Sequence, residues 1–298
     1  MSHEELINWL CGGDISVQYQ TYRDLLDKNM PSMQDRIEKE GWGAQVLAKR
    51  KQDGHWGKAF YQPKWTSTHY TLLDLRNLNM PPECKTVKDS IHMLLPGLID
   101  HDGGINPGKT VSHSDVCING MALNYLSYFQ TPEELLHPIV NFIVAQQLPD
   151  GGFNCRYNRT NAKHSSLHSS ICVLEGIATY QKSGYQYNLD KLLKIKEEAE
   201  EFIRIHRLFK SDHTGEIIHK NFLNFAWPAR WRYDILRALD YFQYSGCPYD
   251  NRMADAFNIV FNKRKSDNRW ILGAKHAGNT HFEMEQGGKP SRWNTLRA

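Results

Sequence analysis

The chain has no run of about 18 apolar residues, the least that spans a bilayer as a helix, so no segment is expected to cross a membrane. It also lacks any block of Lys and Arg interleaved with aromatics. Its formal net charge is only +3, so nucleic acid is not expected as a partner. The first residues, Met1-Ser2-His3-Glu4-Glu5-Leu6, have neither the basic nor the apolar stretch of an export signal, and the chain is read as cytoplasmic. The six cysteines, Cys11, Cys84, Cys117, Cys155, Cys172 and Cys247, are scattered without a framework spacing. They are expected as reduced thiols, some of them open to metal ligation. No Pro/Gly/Ser-rich linker divides the sequence, and 1–298 is read as one domain with no obligate partner.

What the chain does have is a recurring unit: an Asp-Gly type turn, a short irregular stretch, then two helices. It reads Asp53-Gly54-His55-Trp56-Gly57, Asp102-Gly103-Gly104-Ile105 and Asp150-Gly151-Gly152-Phe153. More degenerate copies are Asp212-His213-Thr214-Gly215 and Asp267-Asn268-Arg269-Trp270. The intervals between successive aspartates are 49, 48, 62 and 55 residues, close to the periods of stacked or circular repeats.

Apolar residues at three- and four-residue spacing predict helices near 3–10, 16–27, 33–51, 67–78, 84–99, 115–129, 132–147, 166–181, 190–209, 231–244 and 249–264, with another starting near Ser291. No stretch alternates as a strand would. Pro31, Pro82, Pro132 and Pro248 sit at or just before helix starts, where a missing N–H costs nothing. Pairing each outer helix with the inner helix that follows gives six pairs, which predicts an all-α (α/α)6 toroid. Inner-helix N-termini and the long glycine loops are expected at one mouth, where backbone N–H groups and helix dipoles favour anions.

The stretches Gln52-Asp53-Gly54-His55-Trp56-Gly57 and Gln147-Leu148-Pro149-Asp150-Gly151-Gly152-Phe153, over about residues 45–298, resemble repeats of the squalene cyclase and protein prenyltransferase β-subunit superfamily. That resemblance implies a terpenoid cyclase/protein prenyltransferase-like toroid. Asp115-Val116-Cys117, followed one repeat later by His168, resembles the zinc-ligand set of the prenyltransferases. One carboxylate, one thiolate and one imidazole leave a fourth zinc position open to a substrate thiol or water. The resemblance therefore implies Zn2+ on Asp115, Cys117 and His168. The same residues also have structural readings: a helix N-cap, a small buried side chain and a loop-bonding imidazole.

Gly151 to Arg159 resembles the prenyltransferase stretch that supplies cations to an isoprenoid diphosphate, which places Arg156 and Arg159 as substrate-binding residues, with Lys109 and Lys163 adding charge. In that family the basic stretch precedes the Asp-x-Cys; here it follows, and the Tyr after the zinc Cys is Ile118. The Asp-x-Asp-Asp acid of hopene-type cyclases is absent. The leading expectation is a zinc-dependent, prenyltransferase-like transferase acting on a small-molecule or apolar substrate in the central cavity. His69, Arg230 and Tyr233 are the catalytic candidates, and Trp231 and Trp293 are further substrate contacts. The alternatives are a glycan lyase or hydrolase of the (α/α)6 class and a non-catalytic ligand-binding toroid. In a glycan enzyme His69, His164, Tyr233, Arg230 and Asn224 would line a cleft whose tryptophans stack on sugars.

Overall fold

A computed structural model describes residues 2–107 and 112–298, which leaves Lys109 outside the described residues. The helices fall into six consecutive outer and inner pairs. The first is α1 (His3–Cys11) with α2 (Ile15–Leu25). The second outer element breaks at Gly41, whose φ of 67° is left-handed, into α3 (Pro31–Arg36) and α4 (Gly41–Leu47), followed by inner α5 (Thr68–Asn77). Then come α6 (Lys85–Leu94) with α7 (Val116–Tyr128), and α8 (Glu133–Ala145) with the short α9 (Tyr157–Thr160) and inner α10 (Leu167–Lys182). The last two pairs are α11 (Leu189–Ile205) with α12 (Ile235–Ser245), and α13 (Ala254–Asn262) with α14 (Arg292–Arg297). The strands β1 (Trp270–Ile271) and β2 (Pro290–Ser291) form a minimal antiparallel pair before α14.

Burial separates the two layers. Helices α5, α7 and α10 are covered on nearly every side, as inner helices of a ring must be, whereas α6 and α11 bury a single stripe. Neighbours α7 and α10 approach through glycines: a Cβ on Gly176 would lie 2.4 Å from the Gly120 carbonyl oxygen. The sixth pair docks on the first, where Arg292 Nε donates to the Trp9 carbonyl at 2.9 Å and Arg297 bonds Gln20, so the ring closes.

The repeated turns have one mechanical task. Gly54, Gly103 and Gly151 occupy left-handed φ near 81–88°. The apolar residue three past the turn aspartate in four of the five copies, all but that at Asp212, is a buried wedge whose N–H is held by a polar side chain of the next inner helix. Trp56 N donates to Thr68 Oγ1 at 3.0 Å, Ile105 N to Asn119 Oδ1 at 2.7 Å, Phe153 N to Ser170 Oγ at 3.0 Å, and Trp270 N to Thr295 Oγ1 at 3.0 Å. Four inner helices, α5, α7, α10 and α14, thereby offer a buried polar group that the wedge backbone satisfies. The Trp56 and Trp270 indoles even donate to equivalent outer-helix carbonyls, Val46 and Val260. These aromatics are packing wedges rather than ligand contacts.

The two longest connections, between α11 and α12 and between α13 and α14, fold inward across the N-terminal ends of the inner helices. Trp65 Nε1 donates to the Ala277 carbonyl at 2.6 Å, and Thr71 Oγ1 meets His281 Nε2 at 2.9 Å. Asn224 and Ala274 exchange two hydrogen bonds of 2.8 Å, tying one connection to the other. Among the described residues no helix is long and apolar enough to cross a membrane.

Candidate functional site: a basic cavity in the ring

The inward-folded connections stopper the mouth where the sequence places the site. A cavity of about 440 Å³ lies instead toward the opposite end, among the C-terminal turns of all six inner helices. Its rim includes the exposed Asp24, Lys182 and Gln243, and its floor is the buried strap Phe225–Arg230 with Trp227 stacked on Trp293, ring centroids 3.5 Å apart. Carbonyls at helix C-termini carry partial negative charge, so converging six of them calls for cations. Arg23, Arg76, Lys182 and Arg297 occupy the last turns of α2, α5, α10 and α14.

Four of the six cations that line the cavity are neutralised within the protein. Arg23 pairs with Asp24 at 2.6 Å, Arg237 takes both oxygens of Glu175 at 2.7 Å, Arg297 reaches Asp240 at 3.1 Å, and Arg230 pairs with the buried Asp74. Arg76 and Lys182 have no carboxylate partner among the described residues. The Arg76 guanidinium donates to Thr179 Oγ1 at 3.1 Å and stands 5.7 and 5.3 Å from the ring centroids of Tyr128 and Tyr244. Lys182 Nζ is 3.9 Å from the Tyr244 centroid. Cations on aromatic faces remain available to an anion. Arg76 Nε, Arg297 Nε and Trp227 Nε1 find no hydrogen-bond partner.

Of the residues singled out by the sequence, only Arg230 and Trp293 line this cavity. His69 is fully buried among the rings of Phe60, Tyr61, Tyr70 and Tyr125, with Nδ1 3.2 Å from the Tyr125 hydroxyl. Burial pushes its pKa down to about 3, which keeps it neutral. The Tyr233 hydroxyl is buried and donates to the Leu208 carbonyl at 2.6 Å, and its own N–H is accepted by His168 Nδ1 at 2.8 Å. His168 therefore carries its proton on Nε2, and burial, aided by Arg232 and Arg237, lowers its pKa to about 4. Trp231 packs edge-on against His168 at 5.1 Å under the Arg232 guanidinium. Arg156 and His164 are exposed, and Asn224 serves the tie described above.

Asp115 precedes α7 without capping it and pairs with Arg159, the residue assigned to diphosphate. Cys117 is joined to Cys155, their Cα atoms 5.9 Å apart, which corrects the expectation of reduced thiols for these two. With the Asp115 charge met by Arg159, the Cys117 sulfur tied up and His168 Nδ1 engaged, the three do not fit a zinc centre as they stand. Among the described residues no group of three His, Cys, Asp or Glu side chains gathers to hold a metal ion.

The residues that line the cavity carry a signal outside the repeated turns: a basic residue in the last turn of four inner helices. Ring and cavity together define a helical toroid of the (α/α)6 class with a basic, aromatic-lined interior. Neither the family models nor the curated proteins contain a match to this sequence. Among solved structures, one described as a polysaccharide lyase aligns with a TM-score of 0.56 over 98% of this chain and 93% of its own, at 11% identity, a likeness of fold.

Proposed function

We propose that the protein is a glycan lyase that binds an anionic saccharide in the central cavity and cleaves it by β-elimination. The observation that carries this reading is the pair of cations without carboxylate partners, Arg76 and Lys182, set against Tyr128 and Tyr244 above a stacked tryptophan floor. The guanidinium fork matches a uronate carboxylate, and the phenol faces of Tyr128 and Tyr244 match sugar rings. Neutralising the carboxylate acidifies the adjacent C–H. A base then removes that proton, its electron pair forms the C=C bond, the glycosidic C–O bond breaks, and the departing oxygen takes a proton from an acid. Tyr244, flanked by Arg76 and Lys182, is the residue we assign to proton transfer.

Two features favour elimination over hydrolysis and over the isoprenoid reading. A glycosidase needs two convergent carboxyls, but Glu175, Asp240 and Asp24 are each paired with an arginine, and Asp234 caps α12 through the Arg237 N–H at 2.9 Å. The solved structure that shares the fold is described as a lyase acting on polysaccharide, which agrees with the chemistry of the cavity. The test is incubation with polyuronates, reading the ultraviolet absorbance of an unsaturated uronate. Arg76→Ala is expected to lose about 1.5–3 kcal/mol of interaction with the carboxylate, roughly a ten- to hundredfold fall in kcat/KM, with Arg76→Lys in between. Absence of turnover and binding across polyuronates, with diphosphate released from an isoprenyl diphosphate, would replace this reading by the transferase.

A further inference from the structure

Resting on that reading, we infer that the cavity takes the end of a saccharide chain, or a short oligosaccharide, and does not act on the interior of a polymer. The inference comes from the closed end of the ring. An enzyme that cleaves within a chain needs a groove open at both ends, so that sugar units continue on either side of the reacting bond. Here the inner end is blocked by two layers. The strap Phe225–Arg230 crosses the axis, fixed by Asn294 Nδ2 donating to the Phe225 carbonyl at 2.8 Å and by the Arg230–Asp74 pair. Beneath it the connection before α14 is held to the start of α5 by the Trp65–Ala277 and Thr71–His281 hydrogen bonds.

The stacked rings of Trp227 and Trp293 close the bottom as a flat apolar plate, both nearly inaccessible to solvent. A volume of about 440 Å³ is in the range that encloses one compact ligand. Arg76 and Lys182, without carboxylate partners among the described residues, stand in the last turns of their helices, toward the rim, while the tryptophan plate lies below. A terminal sugar therefore enters first, meets the plate, and presents a carboxylate to the rim. The remainder of a longer chain extends into solvent.

The experiment compares polyuronates with their trimers at equal mass, following unsaturated product, solution viscosity and quenching of tryptophan fluorescence. The inference expects rate and quenching to scale with the concentration of chain ends. The trimer then outperforms the polymer per unit mass by the ratio of their ends, and viscosity persists while only the smallest products accumulate. An early collapse of viscosity with products of intermediate length overturns the inference and leaves the lyase reading standing. Absence of both turnover and quenching with every polymer and trimer overturns the lyase reading and this inference together.

Discussion

Replacing Arg230 by alanine separates a structural role from a catalytic one at a residue that the sequence placed in the chemistry. Its guanidinium donates to Asp74 Oδ2, and both side chains are buried, Arg230 in the cavity floor itself. Burial pushes the Asp74 carboxyl up to about 6, with Arg230 restraining the rise. Removing one member of such a pair costs about 3–5 kcal/mol when the other stays charged. Asp74 limits the cost by taking up a proton, so the loss depends on pH. A carboxyl whose folded pKa exceeds its unfolded value contributes stability in acid and loses it as pH rises through the folded value. In the natural chain that loss is complete near pH 6. Without Arg230 it continues to higher pH, at up to about 1.4 kcal/mol per unit. Urea unfolding followed by tryptophan fluorescence is expected to give a small destabilisation near pH 5 and about 3 kcal/mol or more near pH 8. Because Arg230 holds a left-handed φ of 61°, alanine keeps the backbone strain, and the difference reports the ion pair. A loss under about 1 kcal/mol at both pH values, with turnover abolished, refutes the reasoning and returns Arg230 to catalysis.

Gly176→Ala drives a methyl group into the Gly120 carbonyl and is expected to cost about 1–3 kcal/mol; an unchanged melting temperature would contradict the close approach of α7 and α10. His69, held near pKa 3 by burial, loses stability as pH falls from about 6.5 toward 3, because the unfolded chain binds the proton more readily. His69→Gln keeps a partner for Tyr125 and is expected to flatten the acid limb of the stability curve by up to about 1.4 kcal/mol per unit; parallel curves would show that His69 is not the group responsible. Metal analysis of protein purified without chelator is expected to find no stoichiometric zinc, with or without Cys117→Ala. About one zinc per chain, lost in the variant, would reinstate the set of Asp115, Cys117 and His168.

The ring was legible because its signals are local. Asp-Gly turns, prolines at helix starts and apolar spacing each act within a few residues, and together they place all six helix pairs close to where they lie. The site was not legible, because it depends on which end of the ring is open. The clue lay in the spacing from each turn aspartate to the next inner helix, 23 residues from Asp212 to Ile235 and 25 from Asp267 to Arg292 against 14–17 in the first three repeats, since this extra length is the material that folds inward and stoppers the expected mouth. His69 and Tyr233 look catalytic by residue type, but both are buried away from the cavity, His69 with Nδ1 against the Tyr125 hydroxyl and Tyr233 donating to the Leu208 carbonyl. Arg76 and Lys182 look like ordinary cations of a helix last turn until the ring gathers those turns around one cavity. The Asp115–Arg159 pair joins two residues that the motif assigned to different ligands, and only proximity in space reveals it.

The hydrogen bond from Arg292 to Trp9 joins positions 283 residues apart. Each helix pair packs on its sequence neighbour at modest chain-entropy cost, so five pairs can accumulate as an open spiral by short-range steps. The contact of the sixth pair with the first closes the longest loop, and with it the inner face of α2 gains its cover and the cavity its complete wall. Ring closure and completion of the cavity wall thus rest on the same contact between the two ends of the chain.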